Sequence, residues 1–480
     1  MTEKGYISDM YRQLQEMNNK LNLVTKDFKN AKREIASLKN IIKEKDIKIV
    51  KLENEVNRLK SQINKDSDNS SKPPSSDIKP NKKNIPNNRT NSSKSVGGQL
   101  GHKGYHLSKQ YVEENIKNKN FVYEVKHIGN ISDKYVSKYV LDICVNVKAI
   151  EHRFYADENG KILIPKGFQT DVQYGPELKT MCSVLSAEGI VAFKRLADFV
   201  GCLSHGKIHM SDASIVNFLK SFNGKSSYII ENIKEKILNS ALVRTDATTA
   251  RCENKNMSIR NYSTEEYVLF CATESKSKKH IEETGILNNY TGALVHDHET
   301  SMYNYGTKHI ECNVHVTRYL KGNSENTNNA WSSSLRNFLC NLNEHRKILM
   351  QNGVVSFSKE QLERYSKKYD ELIELGFKQN TSLKSKFYKN EELRLLRRLK
   401  KYKENHLMFL YDFSMPFENN MSERDLRHIK VKQKVSGNFN TKNGLDIYCN
   451  MKSIICSLKR KGKDFYTAIS NIYQNILVII

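Results

Sequence analysis

The chain has 480 residues, 38% of them hydrophobic, with 78 Lys and Arg against 53 Asp and Glu for a formal net charge of +25. That length and apolar content exclude a wholly disordered protein and allow two or three domains. The charge favours a polyanionic partner, nucleic acid first and anionic membrane as its rival.

The apolar runs, among them "ILVII" at 476–480, fall far short of the roughly 20 residues that a bilayer span requires. No apolar signal region opens the sequence, so a soluble, cytoplasmic protein without a membrane partner is expected. Nine cysteines run from Cys144 to Cys456 without a C-x-x-C pair, which predicts reduced thiols and no disulfide framework.

A heptad repeat comes first. Leu14, Leu21, Phe28, Ile35, Ile42, Ile49, Val56 and Ile63 fall every seven residues, and Met17, Val24, Ala31, Leu38, Lys45, Leu52 and Leu59 follow three later. Ile and Val at the later a positions with Leu at the later d positions favour a parallel two-stranded coil, so residues 1–66 are expected to form a homodimer or a higher oligomer. Residues 67–108 read as a linker: four of the seven prolines lie there, with Ser, Asn and paired Gly. Its basic balance suits either a phosphate-tracking arm or a solvated tether.

Residues 109–235 are expected to combine a small β-rich module, from the alternating "NFVYEVKHI" and "KYVLDICVNVKAIEHRFYADENGKILIP", with short helices. Ser211 or Asp212 suits the N-cap of the last helix, which reads either as a helix-turn-helix reader of DNA or as a helical packing unit. From residue 236 the pattern turns α/β: "ALVRTDATTA" as a strand ending in Asp246, "EYVLFCATE" as a second, "SKKHIEETGILNNY" as a helix and "GALVHDHET" as a strand ending in Asp297. A helical stretch follows from about Trp331 to Tyr402. "NNMSERDLRHIKVKQKVSG" then puts Glu423 in the first two turns of a helix, with Arg424, Arg427, Lys430, Lys432 and Lys434 beyond it. Three carboxylates that converge, with cations beside them, suit phosphodiester chemistry with two divalent ions, Mg²⁺ or Mn²⁺.

The order Asp246, Asp297, Glu423, together with "HDHETSMYNYG", "HIECNVHVTRYL", "NSSKPPSSD" and "GGQLGHKG", resembles the transposases of the insertion sequence 66 family, a DDE class of bacterial mobile elements. The resemblance implies a ribonuclease-H-like core (236–330 and 405–440) with a helical insertion (331–404) and a helical tail (441–480). It further implies that Asp246, Asp297 and Glu423 are the catalytic metal ligands, that the DNA partners are terminal inverted repeats and target DNA, and that element-encoded helper proteins exist. Two positions depart from the family. Only Cys144 remains where members commonly carry a cysteine-paired zinc module, which argues against zinc there, and Ala247 replaces the Glu that usually follows the first Asp. The pattern His309, Cys312, His315 raises zinc as one reading, but three ligands at a spacing unlike usual fingers favour a structural or active-site-framing role. The alternative reading is a non-catalytic coiled-coil DNA-binding protein, which would have no use for three poised acids.

Overall fold

The computed structural model describes residues 3–66, 69–70, 108–128, 133, 135–143, 145–165, 167–168 and 170–480. In chain order the elements are α1 (Glu3–Asn64), α2 (Lys109–Lys117), α3 (Pro176–Ala187), α4 (Phe193–Leu203), α5 (Asp212–Lys225), α6 (Ser227–Leu238), β1 (Leu242–Cys252), β2 (Lys255–Ser263), β3 (Val268–Thr273), α7 (Lys278–Glu282) and β4 (Ala293–His296). There follow β5 (Lys308–Glu311), α8 (Asn313–Thr327), α9 (Ala330–Gln351), α10 (Lys359–Thr381), α11 (Lys386–Lys401), α12 (Lys403–Tyr411), α13 (Asn420–Ser436), α14 (Lys442–Arg460) and α15 (Phe465–Tyr473). This mixed α/β chain divides into two compact units, Met1–Asn81 with Ala293–Asn420, and Lys82–Gly292 with Met421–Ile480.

The first unit is built on α8 to α12. Trp331, Leu335, Leu339, Tyr369, Ile373, Leu396, Leu399 and Phe409 form its apolar core. α10 approaches so closely that a Cβ on Gly376 would meet Leu396 at 2.4 Å and the Trp331 ring at 2.8 Å. At the centre lies a buried carboxylate, Glu392, which accepts hydrogen bonds from Trp331 Nε1 (2.7 Å), Asn323 (2.9 Å), Asn329 (3.0 Å) and Asn380 (2.9 Å). Enough donors surround it to offset its desolvation, so the helices are pinned by polar as well as apolar contacts. β4 and β5 pair in parallel in this unit, with Val295 opposite Ile310.

α1 runs 62 residues without proline. Its heptad positions Leu21, Phe28, Leu38, Ile42, Ile49 and Leu52 are all exposed. A different face of its last turns meets the unit: Asn57 Nδ2 donates to Ser385 Oγ at 3.0 Å, and Ser61 is buried. The seam therefore stays open while the helix end is anchored.

In the second unit β1, β2 and β3 form an antiparallel meander in which Asp246 faces Asn261 and Asn261 faces Phe270. The β1–β2 turn is a two-residue hairpin in which Glu253 and Asn254 take φ of 49° and 61°, as the twist of the flanking strands demands. β1 therefore continues six residues past Asp246, where the sequence reading ended it, and β2 was missed. Its "KNMSIRNYS" lacks alternation because it is buried along most of its length, with Ile259 packed among Leu426, Ile429 and Leu445. α14 covers β3, and its Ser453 and Ser457 hydroxyls accept from Phe270 N (2.9 Å) and Val268 N (3.0 Å), which satisfies strand donors with side chains.

The β-rich module expected in 109–235 is absent among the described residues. Ahead of α3 they hold α2 and a single bridge, Ala156 to Ile162, across the turn at Asp157–Gly160. Val122, Ile128, Val140, Ile143 and Ile164 are exposed. Alternation supplies one apolar face, but a ladder gains little until something covers that face. Cys144 and nearly all of the expected linker lie outside the described residues. Ser211 does cap α5, accepting from Ser214 N. That helix packs against α3, α4, α6, α14 and α15, which favours the packing-unit reading over a groove reader.

His428 on α13 lies edge-on to Phe270, with ring centroids 5.6 Å apart, and burial, then the Lys452 charge, lowers its pKa to about 4. The unfolded chain therefore binds a proton near pH 6.5 that the folded unit refuses. Stability should be full above that pH and fall by on the order of 3 kcal/mol as the pH drops toward 4. Thermal melting from pH 7 to pH 4.5 should show the decline, and His428→Gln should flatten it.

Candidate active site

Asp246 enters from mid-strand in β1. Its backbone N–H donates to Asn261 Oδ1 at 2.9 Å, and its own Oδ1 accepts from Ala247 N at 2.6 Å. Asn261 is fully buried, and its Nδ2 donates to Ser263 Oγ at 3.0 Å and lies 3.4 Å from Asp425 Oδ2. Asp425 is fixed in turn by both Oδ atoms on Arg460 Nη2, each at 2.8 Å, and by Ser263 Oγ at 2.7 Å. Glu423 sits in the first turn of α13, two residues before Asp425. Asn261 thus ties the strand that carries Asp246 to the helical turn that carries Glu423.

None of these supports was legible. Asn261 stands on the strand that the sequence pattern hid, and Asp425 looked like another surface acid. Replacing Asn261 with Ala should leave the Asp246 N–H without its acceptor and cost about 1–3 kcal/mol, read as a lower urea midpoint. Asn261→Asp, which keeps Oδ1 but turns the donor into a second acceptor facing Asp425, should be no better.

The cations beyond Glu423 divide. Arg424, Arg427, Lys430 and Lys434 are exposed. Lys432 is not: it is buried, donates to Ser186 O at 3.1 Å and lies over the rings of Phe193 and Tyr448. The expectation that Lys432 contacts DNA is corrected accordingly. It follows Ile429 by three residues and so shares the helix face of the core, a signal the spacing contained. Lys430 Nζ bonds Thr249 O, and Lys276 Nζ donates to Ala247 O at 3.0 Å, so two cations line β1 just past Asp246. No spacing or motif singled out Lys276.

In the first unit Asp297 follows β4 directly, as expected. Its Oδ2 lies 3.3 Å from His315 Nδ1 and its Oδ1 3.4 Å from Asn419 Nδ2. Cys312 caps α8 and His315 lies in the helix's first turn, while the Asn419 N–H donates to Cys312 Sγ at 3.3 Å. Burial opposes a charge on His315, but its bonds to Asp297 and Cys312 prevail and raise its pKa to about 11, so a cation faces the carboxylate. His309 turns elsewhere, its ring 5.0 Å from Tyr303 and 5.5 Å from His296. The H-x-x-C-x-x-H pattern is therefore not a group of three neighbours.

Behind Asp297 lies Glu311, fully buried at the end of β5. Its Oε2 meets Arg398 Nη2 at 2.7 Å, His298 Nδ1 at 3.1 Å and His406 Nε2 at 3.1 Å, and Tyr303 OH bonds Oε1. Burial raises its pKa, but the bonds to His298 and His406 and the Arg398 charge prevail and hold it well below the usual carboxylate range. His298, next to Asp297, takes a left-handed φ of 47°. The cluster thus fixes an unfavourable backbone turn right after the candidate ligand.

Asp246 and Glu423 are linked within one unit, and Asp297 is held in the other by its own set of partners. All three are carboxylates that are partly accessible, a donor set suited to hard divalent cations. Among known proteins, a family model described as "Transposase IS66 family" matches residues 172–447. A second, described as a family of unknown function (DUF6444), matches residues 24–108. No curated protein matches the chain.

Proposed function

The chain belongs to the transposase IS66 family, and from that premise we propose that it cuts the ends of an insertion sequence and transfers the freed 3′-OH into target DNA. The observation that carries this reading is the sharing of Asn261 between the Asp246 strand and the Glu423 turn, which couples two acids far apart in sequence through one buried amide. Asp246, Asp297 and Glu423 would hold two Mg²⁺ or Mn²⁺ ions in a ribonuclease-H-like core with α9 to α12 as its insertion. Such ions would activate the attacking oxygen and stabilise the leaving 3′ oxygen.

The chain's own side chains do the rest. Arg424, Arg427 and Lys434, with Lys276 and Lys430 along β1, neutralise phosphates and set the register of the duplex. Asn261, Asn419 and His315 orient the carboxylates, so that little reorganisation is needed when DNA arrives. Water cleaves the end first; the new 3′-OH then takes its place on target DNA, in line at phosphorus and without a covalent protein intermediate.

The exposed seam of α1 supports a parallel homodimer that brings two element ends together. Helper proteins from the same element and a place on the nucleoid complete the proposal. Among the described residues no helix is long and apolar enough to cross a membrane. The test is nicking and joining of a duplex that carries an element end. Mg²⁺-dependent 3′-OH products are expected, and tight binding without cleavage in either Mg²⁺ or Mn²⁺ would instead favour a regulatory DNA-binding protein.

A further inference from the structure

We propose that Asp297, Cys312 and His315 form a zinc site that shares the second carboxylate with the catalytic centre and so lets zinc restrain the enzyme. The sharing rests on the catalytic reading above; the zinc site itself does not.

One donor atom from each of the three residues lies within 4.8 Å of the other two. The fold explains the grouping. C-x-x-H at a helix start puts the thiol of the N-cap and the imidazole of the first turn on one side of α8, and the end of β4 delivers the carboxylate. Cys312 and His315 are buried, whereas the Asp297 side chain is 20% exposed, so the cluster opens toward solvent through its carboxylate. A buried thiol beside an imidazole is a poor site for Mg²⁺, which prefers oxygen donors, and a good one for Zn²⁺.

Asn419 supplies the outer shell. Its backbone N–H reaches Cys312 Sγ and its side-chain amide reaches Asp297 Oδ1. Donors of this kind orient ligating sulfur and carboxylate groups and stabilise their charged forms. Three protein ligands leave a fourth position for water, as in zinc sites that remain open. On binding, zinc takes the place of the thiol proton and of the proton between His315 and Asp297. Asp297 then serves the zinc, and the Mg²⁺ pair loses one of its three carboxylates.

The experiment uses the full chain, stripped with chelator and titrated with Co²⁺ as the spectroscopic probe, then with Zn²⁺ in competition. A thiolate-to-cobalt charge-transfer band that saturates at one equivalent and is displaced by Zn²⁺ is expected. Cys312→Ser should abolish the band, and His315→Ala should weaken Co²⁺ binding by at least about tenfold. If Cys312→Ser does not fold, Asp297→Asn takes its place, with the same loss of affinity expected. A missing band, or one that persists in these variants through another cysteine, overturns the site. Micromolar zinc should also slow nicking in millimolar Mg²⁺ by at least about tenfold in the parent, and much less in Cys312→Ser relative to that variant's own zinc-free rate. Asp246→Asn separates the two readings, since it should end nicking and leave the cobalt band intact. A parent that shows the band but never nicks overturns the catalytic reading alone, and one that nicks without the band overturns the zinc site alone.

Discussion

Glu423→Gln should reduce Mg²⁺-dependent nicking by about 10³-fold or more, because a ligated ion contributes several kcal/mol to the transition state and the neutral amide no longer holds it. Folding and DNA binding should persist, since Asp425 anchors α13 to Asn261 and Arg460. Thermal melting and duplex binding on the same samples separate lost chemistry from lost structure. Arg427→Ala is the control. It should weaken binding and lower the salt slope by about one phosphate contact while sparing the metal site. Were Glu423 merely half of an exposed ion pair, its replacement would cost about 0.5 kcal/mol or less and leave nicking at the parent's rate.

The second large effect concerns α1. Ile42→Asp with Ile49→Asp should convert a dimer of the 55.5-kDa chain into monomers. Both side chains are exposed in the single chain and would be buried in the coil, two per protomer, so their loss alone should cost about 5 kcal/mol or more and weaken association by more than three decades. Light scattering at micromolar concentration reads the mass directly. A parent that is already monomeric there removes the dimer from the proposal. Joining of paired ends should fail in the variant even where single-end nicking survives.

Local signals were read well and long-range ones were not. "GALVH" before Asp297 is a short apolar run with a turn behind it, and β4 ends where that pattern ends. The helical course of α1 and the Ser211 cap were legible for the same reason, since each depends on neighbours within a turn or two. β2 was hidden because a strand covered on both faces carries no alternation, and with it went Asn261, whose importance lies in pairing opposite Asp246. The Glu311 cluster was hidden for the same reason, since its partners Arg398 and His406 come from α11 and α12, and no spacing rule links position 311 to 398.

That carboxylate has a consequence for inheritance. Helices that follow one another in a single stretch, as α9 to α12 do, look like a module that a lineage could gain, shorten or discard. Here Glu311 has placed its negative charge in the keeping of Arg398 and His406, so trimming α11 and α12 would strand it beside Asp297 at a cost of about 3–5 kcal/mol. These helices can therefore drift in their surface and their loops but not in their presence, and any shorter descendant would first have to replace Glu311 with an uncharged residue.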